Sequence, residues 1–330
     1  MKFLLFLLSL LNRSGCLIKN WFYKSKILAP KKAPLSVISV GSIALGGTEK
    51  TPLVINLINY LIKNGFKPAL ISRGYKGRWE KSGGILSDGK NILAHWEDSG
   101  DEPFMVAQNN PEAGIFIGKN RLLSCQKAKS LGFELAVLDD GFQHRRLHRD
   151  LDIVLFTPAE KTTLREPVPS LKRANILLMK KGADPQRRKK TMERFPESTV
   201  FEYSVKNKGV FRLMEQKIQA GEDLKRKKVL AFCGIARPER FLSILREGGI
   251  KPSFFFRFPD HHAYPESTVE KITEKYKKIS AEAIITTEKD ASKIIHNKSL
   301  KKIPAYYLKI DLEVEDKFYA KISNLLQNLA

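Results

Sequence analysis

Short apolar runs rich in Val and Ile alternate with segments of helical period along most of this chain. The runs SVISVG (36–41), PALIS (68–72), GIFIG (114–118), ELAVLDD (134–140), LDIVLF (151–156) and NILLM (175–179) are nearly continuous rather than alternating. Such runs predict strands covered on both faces. Between the first two, residues 51–63 offer Leu53, Ile55, Leu57, Ile58 and Leu61 as the apolar surface of a helix, and another helix is expected from about Asn120. Strands alternating with helices predict an α/β chain built on a parallel, doubly wound sheet.

The pattern breaks between Arg187 and Pro196, where the chain is polar and charged, and TVFEYSV and GVFRLM then predict an extended pair around KNKG. Alternation restarts after KRKK, with strands at 229–234, 253–258 and 283–287 and helices from Pro238 and from about Pro265. This second series predicts a smaller α/β domain. AYYLKIDLEV (305–314) is a late strand expected to return to the link between the two domains. The expected organisation is an N-terminal region (1–30), a core (31–198), a strand linker (199–220), a smaller domain (221–304), and a returning strand with a terminal helix (305–330).

Composition narrows the partners. The chain has 330 residues, 58 Lys and Arg against 35 Asp and Glu, and a net charge of +23, so it favours anionic surfaces and phosphorylated molecules. No interleaved aromatic and basic surface points to nucleic acid, which is not expected as a partner. Cys16, Cys125 and Cys233 form no CxxC pair, so neither a disulfide frame nor a zinc site is expected.

The N-terminus departs from the soluble pattern. FLLFLLSLL (3–11) is too short to span a bilayer. Leu17, Ile18, Trp21 and Phe22 follow on one helical face, with Lys19, Lys24 and Lys26 at its polar edges. An apolar start followed by a basic, Trp-bearing amphipathic stretch predicts a helix lying in a membrane interface.

Candidate chemistry gathers where strands end. The stretch GGTEKTP (46–52) follows the first strand, and Lys50 and Thr51 open the helix behind it. Backbone N–H groups and the helix dipole there bind anions, Lys50 would reach the β/γ-phosphates, and the Thr51 hydroxyl would sit on Mg²⁺. The full phosphate-loop pattern is not met, because Ala44 and Glu49 stand at its two Gly positions. The Glu49 carboxylate has three courses open: outward, onto Lys50, or against the polyphosphate. Asp139 and Asp140 end an apolar strand, which is how nucleotide-binding sheets hold magnesium. SRGYKG, SGDEP, GFQHRRLHRD, LREP and FPDHH fall at further strand–helix corners, and together they look like one site.

In SVGSIALGGTEKTP, SRGYKG, GDEP, LDDGFQHRRLHRDLDIVLF, LREP, FCGIARPERF, FPDHHAY and TTEKDA, in that order from residue 39 to 291, the chain closely resembles the tetraacyldisaccharide 4′-kinases of lipid A synthesis. The resemblance implies a P-loop NTPase-like α/β/α sandwich with a second, smaller α/β/α domain and an N-terminal membrane-associated helix. It implies ATP and Mg²⁺, a membrane-embedded lipid A disaccharide precursor, and a monomer on the inner face of the cytoplasmic membrane against anionic lipid. ATP would be held by Gly46, Gly47, Thr48, Glu49, Lys50 and Thr51, and the metal by Thr51, Asp139, Asp140 and Glu166. Asp101 resembles the catalytic base, assisted by His261, with Lys50 on the transferred phosphate. Arg73, Tyr75, Gln143 and Arg165 match positions lining the disaccharide and phosphates. Asp101 and His261 are expected on different domains, brought together by closure over ATP.

Two departures stand out. Glu49 replaces a Gly, and the segment between VLF (154–156) and LREP is shorter than the family's usual loop. The second reading of the chain is therefore a catalytically weakened family member that binds lipid or nucleotide.

Overall fold

The computed structural model describes residues 21–23, 25–44, 48–156, 164–182, 185–213, 218–219, 222–295 and 297–327. Residues 1–20 of the expected N-terminal membrane region (1–30), Gly46 and Gly47 of the loop, and the shortened segment 157–163 lie outside the described residues. Two compact units emerge, Met1–Ser99 with Val106–Ser204 and Leu312–Ala330, and Gly100–Met105 with Val205–Asp311.

The first unit contains β1 (Ser36–Ser42), β2 (Pro68–Ser72), β3 (Gly84–Asp88), β4 (Gly114–Ile117), β5 (Leu135–Asp139), β6 (Leu151–Phe156), β7 (Ile176–Lys180) and the first part of β8 (Thr199–Arg212). Their order is β8-β7-β6-β1-β5-β2-β4-β3. All pair in parallel except the edge strand β3, which runs antiparallel to β4. β1 has β5 on one side and β6 on the other, so the strand order reverses there. Ligands of doubly wound sheets bind at such a switch point, beyond the carboxyl ends of the strands.

Burial explains why these segments are strands. β2, β4, β5 and β6 are buried at every position. Val37, Ala69, Ile71, Phe116, Ala136 and Leu138 pack into one cluster, while Ile43, Phe142, Val154, Leu171 and Leu177 form another. The helix α1 (Lys50–Lys63) buries Leu53, Val54, Ile55, Leu57, Ile58 and Leu61.

The second unit holds β10 (Val229–Cys233), β11 (Phe254–Arg257), β12 (Ala283–Thr287) and most of β13 (Ala305–Val314), with the rest of β8 and the short β9 (Ile218–Gln219). The order β11-β10-β12-β13 is parallel throughout. The unit boundaries fall inside β8 and β13.

Three elements differ from the sequence reading. KNKG does not divide two strands, since β8 runs through it for 14 residues. The Asn207 side chain accepts the Gly209 N–H at 2.8 Å, and Lys208 pairs with Asp311 of β13 at 3.1 Å, which hold the stretch extended. The charged stretch after residue 184 is a helix, Pro185–Arg194, that buries Thr191 and pairs Arg188 with Glu202 and Glu315. β3, at the sheet's edge, was not foreseen.

Candidate active site

In the first unit the carboxyl ends of β1 and β5 lie side by side, with Val40 in register with Asp139. Past β5 the chain turns at Asp140, a non-Gly residue in the left-handed region at φ 50°. The turn needs Gly141, because a Cβ there would lie 2.5 Å from Ser39 Oγ and 2.8 Å from Leu138 Cβ. This packing aims the Asp140 carboxylate at α1. Lys50 Nζ lies 3.3 Å from its Oδ1 and donates to Thr48 Oγ1 at 3.0 Å. Arg165 grips the other Asp140 oxygen, and its own N–H donates to the Ile43 carbonyl just past β1.

Burial alone would push the Asp140 pKa up, but Lys50 and Arg165 bring it down to about 2. Asp139 is buried beside it. Glu166 is also buried and accepts from Arg173 at 2.8 Å. Gln143 donates to the Ser42 carbonyl at 3.0 Å, which ties the DDGFQ turn to the end of β1. Thus Thr48, Lys50, Asp140 and Arg165 make one contiguous ionic group, with Asp139 and Gln143 on the same strand ends.

Glu49 meets a side-chain partner that the sequence does not signal. Its backbone is left-handed, at φ 53° and ψ 25°, which costs an L-residue about 1–2 kcal/mol relative to Gly. Its Oε2 accepts a hydrogen bond from Tyr203 Oη on β8 at 3.1 Å. Arg73 and Tyr75 follow β2, and Arg73 lies within electrostatic reach of Arg121, which donates to the Asp140 carbonyl at 3.2 Å. Arg73 pairs with Glu80 at 2.6 Å, and Tyr75 is an exposed aromatic ring.

The second unit holds the other cluster, in which the segment Gly100–Met105 groups with His261. His261 Nδ1 lies 3.0 Å from each Asp101 carboxylate oxygen. Lys293 Nζ lies 3.4 Å from Asp101 Oδ2 and Lys289 Nζ 3.7 Å from it. Burial on its own would raise the Asp101 pKa, but His261, Lys289 and Lys293 hold it well below the usual carboxylate range.

The TTEKDA motif (286–291) carries contacts that its sequence alone does not reveal. Lys289 also pairs with Glu102 at 3.1 Å and Asp260 at 3.6 Å. Lys293 is fully buried between Asp101, Asp290 at 3.1 Å and the His262 carbonyl at 2.8 Å. The signal for Lys289 and Asp290 was their strand–helix corner, whereas Lys293, Arg173 and Tyr203 lie in stretches with no motif to mark them.

The donor set suits a hard cation. Asp139, Asp140, Thr51 and Glu166 supply only oxygens, and Mg²⁺ usually takes one or two carboxylates with water and phosphate oxygens. Among the described residues no group of three or more His, Cys, Asp or Glu is placed to hold a metal ion.

The chain is similar to known proteins along its whole length. Residues 1–327 match the family described as tetraacyldisaccharide-1-P 4′-kinase. A tetraacyldisaccharide 4′-kinase of Syntrophus aciditrophicus is 34% identical, over 94% of this chain and 89% of its own length. The enzyme of that name from Desulfotalea psychrophila is 38% identical, with 82% of each chain covered. A crystal structure of LpxK from Aquifex aeolicus, described as an "apo" form in complex with ATP, superposes with a TM-score of 0.76 at 28% identity, covering 99% of this chain and 98% of that one.

Proposed function

We propose that this chain, which belongs to the tetraacyldisaccharide 4′-kinase family and is an ATP-dependent kinase of lipid A biosynthesis, holds the phosphates of ATP at Lys50 and takes the acceptor proton at Asp101. The observation that carries the phosphate assignment is the Lys50–Asp140 pair at the head of α1, 3.3 Å apart at the reversal point of the sheet. A lysine ammonium and helix N–H groups at that position suit a polyphosphate.

The acceptor is the 4′-hydroxyl of a tetraacyldisaccharide 1-phosphate. Its oxygen forms the new bond to the γ-phosphorus as the bond to the ADP oxygen breaks, and its proton passes to Asp101. A sugar hydroxyl is a poor nucleophile, so a carboxylate that is ionised at neutral pH is needed to receive the proton. Asp101 is such a group, and His261 orients it. Lys50 and Arg165 offset the charge on the transferred group. Mg²⁺ held by Asp139, Asp140, Thr51 and Glu166 would neutralise further phosphate charge. Arg73, Tyr75 and Gln143 serve the disaccharide, Tyr75 with an exposed ring that a sugar face can cover.

The acceptor stays in the bilayer, so the enzyme works at the membrane surface, on the inner leaflet where ATP is available. Among the described residues no helix is long and apolar enough to cross a membrane. Trp21, Ile27 and Leu28 are exposed large hydrophobics beside Lys26, Lys31 and Lys32, a combination suited to an anionic lipid interface. The expected domain bounds, with the 199–220 and 305–314 strands as the link, belong to the same proposal, as does the monomer.

The test is phosphate transfer from γ-labelled ATP to tetraacyldisaccharide 1-phosphate in detergent micelles, with Lys50→Ala and Asp101→Asn beside the wild type. Loss of ATP binding in the first and loss of transfer with ATP binding kept in the second is the expected pair of results. Wild-type turnover in either variant would remove that residue from its role.

A further inference from the structure

We infer that Tyr203 is a positioning residue of the phosphate loop, whose hydroxyl anchors the Glu49 carboxylate and keeps that charge off the polyphosphate received by Lys50. The inference rests on the reading of the Lys50 loop as the ATP site. It starts from a conflict in the sequence. A negative side chain stands next to Lys50, where the phosphate-loop pattern has a side-chain-free Gly.

The geometry resolves the conflict in two steps. The Glu49 backbone adopts the left-handed conformation that suits Gly there, φ 53° and ψ 25°. The backbone at position 49 thus keeps a conformation that Gly adopts readily, and what remains is a carboxylate to be placed. Its Oε2 lies 3.1 Å from Tyr203 Oη, which can donate one hydrogen bond to an ionised acceptor. Lys50 is engaged elsewhere, with Asp140 at 3.3 Å and Thr48 at 3.0 Å.

Tyr203 is built to hold such a charge still. It is 1% exposed, on a strand in register with Lys180 of β7, and its carbonyl accepts the Lys181 N–H at 2.7 Å. A tyrosine so fixed has two side-chain torsions, both set by packing. The hydroxyl does not neutralise Glu49. It fixes where the charge sits, which is what matters one residue from a bound polyphosphate.

The experiment is a double-mutant cycle read as KM for ATP and as equilibrium ATP binding, with kcat recorded alongside. Tyr203→Phe keeps the ring and removes only the hydroxyl. It should raise the KM and Kd for ATP about fivefold, the net scale of one lost hydrogen bond, with a smaller change in kcat. In a Glu49→Gly background the same Tyr203→Phe change should alter both constants less than about twofold, because no carboxylate is left to place. An equal loss in both backgrounds would make Tyr203 merely structural and overturn the inference, as would an unchanged Kd in Tyr203→Phe. A Lys50→Ala arm separates the two levels. If Lys50→Ala binds ATP like wild type, the reading of the loop fails first. If it binds poorly while Tyr203→Phe does not, only the inference about Tyr203 fails.

Discussion

His261 Nδ1 sits 3.0 Å from both carboxylate oxygens of Asp101, held there by a backbone in the left-handed region at φ 61°. A strained residue that is over-determined by its surroundings is a common mark of a working site. His261 fixes the orientation of Asp101, so the two should fail unequally. Asp101→Asn, which cannot accept the proton, is expected to lower kcat by about 10³-fold or more, and His261→Ala by about 10²-fold. Single-turnover rates at saturating ATP and lipid check this, and equal losses would make the pair a single functional unit.

The Asp101 carboxylate is faced by His261, Lys289 and Lys293, with Glu102, Asp260, Asp290 and Tyr264 around those cations. Despite its burial, Asp101 is kept ionised well below the usual carboxylate range. Lys289→Met removes one of these charges and lets the Asp101 pKa rise. A base must be ionised to act, so the acid limb of kcat/KM is expected to move to higher pH in this variant. A pH–rate profile of wild type and Lys289→Met measures the shift, and movement to lower pH would contradict the assignment.

Lys293 is 1% exposed and bridges Asp101 and Asp290. Removing one partner from a buried ionic group leaves the others uncompensated, at a cost of about 3–5 kcal/mol. Lys293→Met should therefore lower the urea midpoint strongly, and Lys293→Met with Asp290→Asn should recover part of the loss. The urea midpoints of the two variants decide it.

Asp140 gives a pH dependence of stability. Its folded pKa is depressed to about 2, against burial, by Lys50 and Arg165. A depressed carboxylate pKa contributes stability that is present above the unfolded value near 4 and is lost as pH falls toward the folded value. The stability gap between wild type and Asp140→Asn is expected to narrow between about pH 4 and pH 2. Denaturant unfolding at several pH values follows that gap, and a constant gap would show that Asp140 is not coupled in this way.

Much of this was legible in the chain because strong local signals were in play. Continuous apolar runs gave β1, β2 and β4 to β7, and the corners after them gave Lys50, Asp140 and Arg165, which the structure joins. What was not legible depended on partners distant in sequence. β8 continues through KNKG because β13 supports it, although Asn and Gly favour a turn locally. The Pro185–Arg194 helix has few apolar positions, so its period was hidden. Tyr203 looked like one residue of a strand, and nothing near it in the chain signals that its hydroxyl meets Glu49. Asp101 lies between strands of the larger core in sequence, and nothing near it in the chain signals that Lys289 and Lys293 meet its carboxylate.

The most direct test of the central claim is transfer of the ATP γ-phosphate to tetraacyldisaccharide 1-phosphate by wild type and by Asp101→Asn, with ATP binding measured on the same preparations. The account predicts product from the wild type, almost none from Asp101→Asn, and similar ATP affinity in both. Undiminished product from Asp101→Asn would contradict it.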